Sequence, residues 1–553
     1  MTYVLGITSS ICYNTSAAIL KNGRLIAMAE EERFNRIKHS PRIHPQMAID
    51  FCLKYAGITL EDVDSIVISG TTPKQFFKLR ALYRLKRTWS LPNLFFHDYK
   101  EYKHISRNNF FKENNKKLFW YPHHLAHAAS SYFCSGFKES NIISWDALGD
   151  INSTVLGIGK NKIDFLECYG YQNSMGALYA DFTEFLGFRP HSQEGKTMGL
   201  SSYGKPVYDM SDMIIITENG YFRKPIYGPL DFIKSFTLSP NKVKFVFFER
   251  KFGSRRNRDE KITKKHQNIA ATIQKTMEKL LINLSEILYK KTNLKKICLA
   301  GGCALNCNAN SAVLRQDFVK DIFIQPAAND AGTSLGAALL KTNSKFKMDH
   351  AYWGPEFDNE EIKNVLKDSG FKYEYHDDIS GVTAELLTKN EIIGWFQGRM
   401  EIGPRALGNR SILADPTNAN IKNDVNIKVK HREVWRPFAP SLLERAAKEY
   451  LEDAYPSPFM ILTFFVPPEK IKEIPSVVHV DGSTRPQTVE KKVNKRYYKL
   501  IEAFEDLTSV PVILNTSFND KGEPIVCTPQ DAINTFRKTG LDYLAIGNYL
   551  VSK

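Results

Sequence analysis

The chain has 553 residues, enough for two or more domains with sizeable cores, and its 43% hydrophobic and 24% charged content is ordinary for a globular protein. No stretch reaches the ~18 uninterrupted apolar residues of a membrane span, and the opening "MTYVLGITSSICYNTSAAIL" has no charged n-region before its broken apolar run, so it does not read as a signal peptide. The net charge of +15 is concentrated in 76–117 and 242–265, where the charges are interleaved rather than striped; they read as a lysine-rich solvated surface rather than a site for nucleic acid or another polyanion.

In chain order, "YVLGITSS", "TSAAILKNG" and "RLIAMAEEER" predict a β-meander with an Asn22-Gly23 turn. "HHLAHAASSYF" follows, with His123 and His127 on one face of a short helix. The meander pattern then returns in "NIISWDALGD", "STVLGIGKNK" and "IDFLECYG", with a turn at Gly159 to Lys162. Helical spacing runs through about 264–292. "KKICLAGGCALNCNAN" and "DIFIQPAANDAGTSLGAALL" each read as strand, turn and helix start. Residues 341–356 are polar and carry a Gly-Pro pair, which predicts a linker between domains 1–345 and 346–553. Beyond it, "EIIGWFQG", "VPVILNTSF" and "LDYLAIGNYLV" predict strands, with helices at 358–369 and 529–538. The eight cysteines are scattered without a C-x-x-C pair, against a zinc ribbon or disulfide framework and in keeping with reduced thiols in the cytoplasm.

On spacing alone the two histidines read as one core and one surface residue. Taken with Asp146 and Asp330, at polar ends of predicted strands, they form a plausible set for Fe(II), Mn(II) or Zn(II). Glycine turns at Gly301, Gly302 and Gly332 suit close approach to a nucleoside, and "SQEGKTMGLSSYGKP" adds Glu194, Gly195 and Lys196 on a predicted glycine-rich loop. Asn14 and Asn306 complete the nucleotide candidates. In the second half, Arg399, Arg405, Arg410, Lys428, Lys430, Arg432 and Arg436 fall among apolar residues, Gly and Pro. Arginines in such surroundings are partly buried and need anionic partners. With Arg485, Asn515, Thr516 and Ser517 they predict a pocket for a small phosphorylated substrate.

These stretches resemble the carbamoyltransferases of the NodU/CmcH type, a family that includes antibiotic-tailoring enzymes such as tobramycin carbamoyltransferase. The carrying motifs are "HHLAHAAS", "EGKTMGLSSYG", "GGCALNCNAN", "NDAGTSLGAA", "GRMEIGPRALGNRSILADP", "VKHREVWRPFAPS" and "LNTSFNDKGEPIVCTPQDA", in the family's order. The resemblance implies an α/β protein: an N-terminal actin-like (ribonuclease H-like) ATPase domain and a C-terminal YrdC-like open twisted α/β domain. It implies that carbamoyl phosphate and ATP (with Mg) give carbamoyl adenylate, whose carbamoyl group passes to an acceptor hydroxyl, or an amine, of a small molecule or sugar in natural-product or glycan biosynthesis. It assigns His123, His127, Asp146 and Asp330 to a metal, usually iron, and Arg405, Lys430, Arg432, Arg436, Arg485, Asn515 and Ser517 to carbamoyl phosphate.

Two departures stand out. The family carries a histidine, a general-base candidate, where this chain has Tyr13, and a phenol of pKa ~10 is a poor base near neutrality. A buried Tyr13 hydroxyl could donate a hydrogen bond, while His39 or the acceptor takes the proton; Lys196 is a further catalytic candidate. The second turn reads "DALGD" with Ala147 where the family has Gly. The competing readings are a carbamoyl-type transferase acting on nucleic acid, and a catalytically drifted binding protein of the same fold. The sequence leaves the acceptor and the oligomeric state open.

Overall fold

The computed structural model describes residues 1–72, 74, 75, 78, 109–114, 117–224 and 240–553. Most of the basic stretch 76–117 lies outside them. The chain forms two compact units, one built from Met1–Phe137 with Phe323–Lys553, the other from Lys138–Ile322.

In the first unit, β1 (Tyr3–Thr8), β2 (Ser16–Lys21) and β3 (Arg24–Glu30) form the expected meander. Asn22 and Gly23 both have positive φ (49° and 77°), the two-residue turn whose twist matches paired strands. β4 (Ser65–Ser69) lies parallel to β1, and β5 (Leu118–Tyr121) parallel to β4, giving the order β3-β2-β1-β4-β5. The helix Gly332–Thr342 packs on β1, β2 and β4 and against the helix His123–Tyr132. Small residues set these distances. A Cβ on Gly6 would lie 2.0 Å from the Ser334 carbonyl oxygen, and one on Gly336 1.8 Å from that of Ala126.

The second unit repeats the plan. β6 (Ser140–Gly149), β7 (Asn152–Gly159) and β8 (Ile163–Gly170) are an antiparallel meander. β9 (Ile214–Thr217) and β10 (Gly220–Arg223) form a separate hairpin. β11 (Lys296–Ala300) runs parallel to β6, and with β12 (Asp321–Ile324) the order is β12-β11-β6-β7-β8. Read from the meander, this is the order of the first sheet, so the ribonuclease H-like arrangement occurs twice, as in actin-like proteins. The helix Lys264–Thr292 has the expected bounds and packs on β6 and β7. Glu194 and Lys196, expected on a loop, lie on the helix Glu194–Ser201, whose glycines the sequence reading took for loop markers.

The remainder of the first unit holds an open mixed sheet of eight strands, β13-β22-β21-β14-β15-β20-β16-β19. These are β13 (Lys372–Tyr375), β14 (Ile393–Phe396), β15 (Arg410–Ala414), β16 (Ala439–Leu443), β19 (Gln487–Val489), β20 (Val512–Ser517), β21 (Tyr543–Ile546) and β22 (Tyr549–Ser552). β17 (Phe464–Phe465) and β18 (Ser483–Thr484) pair separately. "LDYLAIGNYLV" is therefore two strands rather than one, turned at Gly547 (φ 57°). The helices Asn359–Lys367 and Pro529–Lys538 start at capping boxes on Asp358 and Thr528. Among the described residues no helix is long and apolar enough to cross a membrane. No disulfide forms among them, and they include all eight cysteines.

Candidate active site

The first cluster is a corner of the first unit. His123 and His127 are buried on one face of their helix, with ring centroids 4.6 Å apart. Their Nε2 atoms stand 3.6 and 3.7 Å from Asp330 Oδ1. Donor atoms sharing one ion at ~2.0–2.2 Å are roughly 3–3.6 Å apart, so the three side chains fit a divalent cation better than direct hydrogen bonds. Asp330 is held for that role. Its Oδ2 accepts from the Tyr13 N–H at 3.1 Å, which turns Oδ1 to the imidazoles. Its carbonyl accepts from Thr333 N–H at the start of the next helix, and Ser16 Oγ donates to the Ala331 carbonyl at 2.7 Å.

Tyr13 thus contributes its backbone. Its side chain is 44% exposed, so burial does not oblige the phenol to find a partner. His39, half-buried with φ 67°, receives the Asn14 amide on Nδ1 at 3.0 Å, and its carbonyl accepts from Asn14 N–H at 2.7 Å. A ring nitrogen occupied in this way takes an acceptor's proton only after the Asn14 contact opens.

The second cluster lies on the eight-stranded sheet. One wide π turn, Val425–Val429, precedes Lys430, a local geometry found often at functional sites. Lys430 Nζ is ringed by Ser517 O (2.6 Å), Asn519 Oδ1 (2.7 Å), Asn519 O (2.8 Å) and Ser517 Oγ (3.3 Å). Its donors are therefore engaged, and it orders the end of β20 while contributing charge. Arg432 donates to Asn426 Oδ1 at 2.7 Å and lies over Phe438. Burial, followed by repulsion from Arg432, Lys38 and Arg436, holds Lys430 well below the usual ammonium range. Burial and then Arg436 hold Arg432 well below its ordinary value, with Arg485 adding to the effect. Burial lowers Arg436 too, against the pull of Glu433. These cations lack enough negative charge nearby.

The remaining arginines divide by role. Arg410 is fully buried and donates to the carbonyls of Gln397, Gly398, Asn409 and Pro355, so it is structural; burial pushes it down to about 10. Arg399 likewise serves the carbonyls of Gly354, Ile26 and Trp353. Lys428 pairs with Asp424 at the surface. Arg405 is half-buried on a loop organised by Glu401, whose Oε1 accepts from the N–H groups of Leu407, Asn409 and Arg410. Asn515 joins that loop to β20 by donating to the Ala406 carbonyl at 3.3 Å. Arg485 donates to the Met460 carbonyl. A cleft of about 410 Å³ is lined by His350, Trp353, Arg399 and Arg496, among others, and of the residues expected to contact phosphate only Arg399 lines it.

The second unit holds the other candidates. Asp146 lies near the end of β6, and its Oδ1 accepts from Ala147 N–H at 2.6 Å. Ala147 is outside the positive-φ region, so the missing glycine costs no strain here. Burial raises Glu194, and burial, then Asp146 and Glu194, raises the Cys303 thiol well above its ordinary value. Gly195 has open space around it, whereas close packing requires Gly301, where a Cβ would lie 2.1 Å from the Trp145 carbonyl oxygen. A Cβ on Gly302 would lie 3.2 Å from Asp146 Oδ1. In the first unit Gly332 is set by packing too, with Ala327 O at 2.3 Å. Asn306 caps the helix Cys307–Leu314 and pairs twice with Gln274, so its amide serves the fold. Lys196 lies over the Phe188 ring. In the basic stretch 242–265, Lys251 pairs with Asp212, Arg255 with Glu184, and Arg256 donates to the carbonyls of Leu186, Arg258 and Glu260.

Sequence reading missed the buried run Glu30-Glu31-Glu32-Arg33 and the loop organiser Glu401. The available signal was three acids and an arginine closing an apolar strand, a run that cannot be wholly solvated there.

A doubled ribonuclease H-like plan carrying a His/His/Asp corner, followed by an open mixed sheet of eight strands, defines an actin-like α/β protein. The chain belongs to the carbamoyltransferase family: the family model of the carbamoyltransferase N-terminus matches residues 3–339 and that of the C-terminus residues 384–553. It is 36% identical to an uncharacterized protein of Synechocystis sp., covering 100% of this chain and 97% of the other. It is also 36% identical to Nodulation protein NolNO of Sinorhizobium fredii, over 99% of this chain and 80% of that protein. Identity to Nodulation protein U of Rhizobium tropici is 26%, over 93% and 90% of the two chains. Among solved structures, component A of the (R)-2-hydroxyglutaryl-CoA dehydratase of Acidaminococcus fermentans aligns at 14% identity and TM-score 0.33, over 62% of this chain and 100% of that one. The fold assignment rests on strand order, not on that alignment.

Proposed function

We propose that this carbamoyltransferase uses ATP, works through carbamoyl adenylate and delivers the carbamoyl group to a hydroxyl of a small-molecule or sugar acceptor. One observation carries the reading: buried Lys430 and half-buried Arg432 and Arg436 follow one another closely, each held below its ordinary pKa first by burial. Buried cations need anionic partners, and the phosphates of carbamoyl phosphate and ATP supply them. We assign adenylate formation to residues 346–553, read as a YrdC-like domain, and transfer to residues 1–345.

In the first step water takes the phosphoryl group of carbamoyl phosphate, which leaves as inorganic phosphate; the freed carbamate oxygen then bonds to the α-phosphorus of ATP, and pyrophosphate leaves. Arg405, Arg432, Arg436 and Arg485 hold the phosphate oxygens, while Lys430 fixes Ser517 and Asn519 beside them. In the second step the acceptor oxygen bonds to the carbamoyl carbon and AMP leaves. The acceptor's proton goes to His39 once Asn14 lets go, or to a base on the acceptor. His123, His127 and Asp330, joined on the family resemblance by Asp146, would hold a divalent cation, Fe(II) in our reading with Mn(II) or Zn(II) as alternatives. Such an ion neutralises developing phosphate charge. Glu194 and Gly195 are the nucleotide contacts we retain. In 242–265, Lys251, Arg255 and Arg256 are committed within the second unit, which favours a small acceptor over nucleic acid.

The test is to incubate the full chain with ATP, Mg and labelled carbamoyl phosphate. Pyrophosphate release that depends on carbamoyl phosphate, with AMP accumulating when an acceptor is supplied, is the expected result. Release of ADP instead, or no turnover of ATP with any metal, would overturn the reading.

A further inference from the structure

Glu30, Glu31, Glu32 and Arg33 are all buried, with exposures of 2%, 2%, 6% and 2%. Arg33 Nε meets Glu30 Oε2 at 2.9 Å, and its Nη1 meets Glu32 Oε1 at 3.1 Å. From this triad contacts run in two directions inside the first unit. Arg33 Nη2 donates to the Gly403 carbonyl at 2.7 Å, and Glu30 Oε1 accepts from Gly403 N–H at 3.1 Å, so both peptide groups of Gly403 are held. Gly403 stands two residues before Arg405. On the other side, Glu32 Oε2 accepts from His39 N–H at 2.5 Å. His39 holds Asn14 through backbone and ring, and the neighbouring Tyr13 N–H holds Asp330. Gly403 (φ 90°) also lies directly against the segment leading to Asp330: a Cβ on it would be 2.5 Å from the Pro326 carbonyl oxygen.

Losing one member of a buried charged set leaves its partners' charges uncompensated away from water, so these elements stay together rather than loosen separately. Ordering one end of such a connected set lowers the entropy cost of ordering the other.

We propose that Arg33 is a positioning residue that ties the loop bearing Arg405 to the turn that holds Asp330, so that filling the anion site raises the affinity of the metal corner, and the reverse. The inference rests on the two site assignments of the proposed function. Its test uses the bare ligands: Mn(II), whose free ion is counted by electron paramagnetic resonance, and sulfate. In the wild-type chain sulfate raises Mn(II) affinity at least about fivefold, and Mn(II) raises sulfate affinity by the same factor, as linkage requires. Arg33→Lys keeps the charge but loses the forked reach to Glu30, Glu32 and Gly403 O; its factor falls to about one while each ligand still binds. The triple variant Glu30→Gln/Glu32→Gln/Arg33→Met leaves none of the three charges unpaired and gives the same loss. Arg436→Ala removes the effect of sulfate on Mn(II), which places the acting sulfate at the arginine site rather than on the metal. Binding of both ligands without coupling in the wild type overturns this inference alone, as does full coupling in Arg33→Lys. Absence of Mn(II) binding overturns the metal assignment and this inference with it.

Discussion

The metal corner and the cation cluster belong to the same unit and are built on opposite principles. The corner gathers two imidazoles and a carboxylate from chain positions 123, 127 and 330, aimed by a backbone N–H at position 13. The cluster draws Lys430, Arg432 and Arg436 from one short region, and burial opposes their charge, with repulsion among them adding to the effect on Lys430 and Arg432. The corner presents a carboxylate and two imidazoles, the cluster three cations. In our proposal the first takes a cation and the second an anion.

The largest expected effect comes from breaking the cluster. Arg436→Ala removes the cation that we assign to the phosphate of carbamoyl phosphate, a charge-pair loss worth ~2–5 kcal/mol. Carbamoyl-phosphate-dependent pyrophosphate release should fall at least ~30-fold, as read by a coupled phosphate assay; a folded variant with near-normal release would remove Arg436 from the anion site. Next is the corner. His123→Ala and Asp330→Asn should lose bound metal on elemental analysis and slow carbamoyl transfer by more than the ~10–100-fold typical of outer-shell changes. Pyrophosphate release should survive, and its joint loss would show that the two sites are not separable.

A smaller effect concerns protons. Lys430 is held below its unfolded-state pKa, so between the two values the unfolded chain binds more protons and stability rises with pH. A bound anion reverses the cause. Sulfate, which does not titrate in that range, should draw up to about one proton per ion bound, more at higher pH. Calorimetry in buffers of different ionisation enthalpy measures this uptake. Zero uptake at every pH would mean that the four oxygens around Nζ keep Lys430 fully charged. The smallest effect is at Tyr13. Because its backbone supports Asp330 and its ring is exposed, Tyr13→Phe should change metal affinity by less than about twofold, within the ~0.5 kcal/mol of a surface substitution. A tenfold loss would return the phenol to the site.

Much of this was legible in the sequence where local chemistry decides the structure. Asn22-Gly23 dictates a hairpin turn, Thr528-Pro529 a helix start, and the spacing of 264–292 a single long helix. The reading failed where a tertiary setting overrides local signs. Glycines in "EGKTMG" looked like a loop but lie in a helix. In "LDYLAIGNYLV" continuous apolar residues concealed a two-residue turn, because both strands are largely buried. At the site, residue types indicated which side chains could bind a metal or a phosphate. They did not reveal that Lys430 and Asn306 spend their hydrogen bonds on the fold, or that Arg33 reaches Gly403, because such partners lie up to 370 positions away.

The cover of the first sheet has a consequence for how the protein is made. The helix Gly332–Thr342 lies on β1, β2 and β4, yet the whole stretch between Ser69 and Gly332 is synthesised before it appears. At ~5–20 residues per second, the apolar face of the nascent sheet waits on the order of ten seconds or more on the ribosome for its partner. The second unit, by contrast, is one continuous segment from Lys138 to Ile322 and can collapse during that interval. Completion of the metal corner is therefore a late event of biosynthesis, and the early chain is the form that most needs a chaperone.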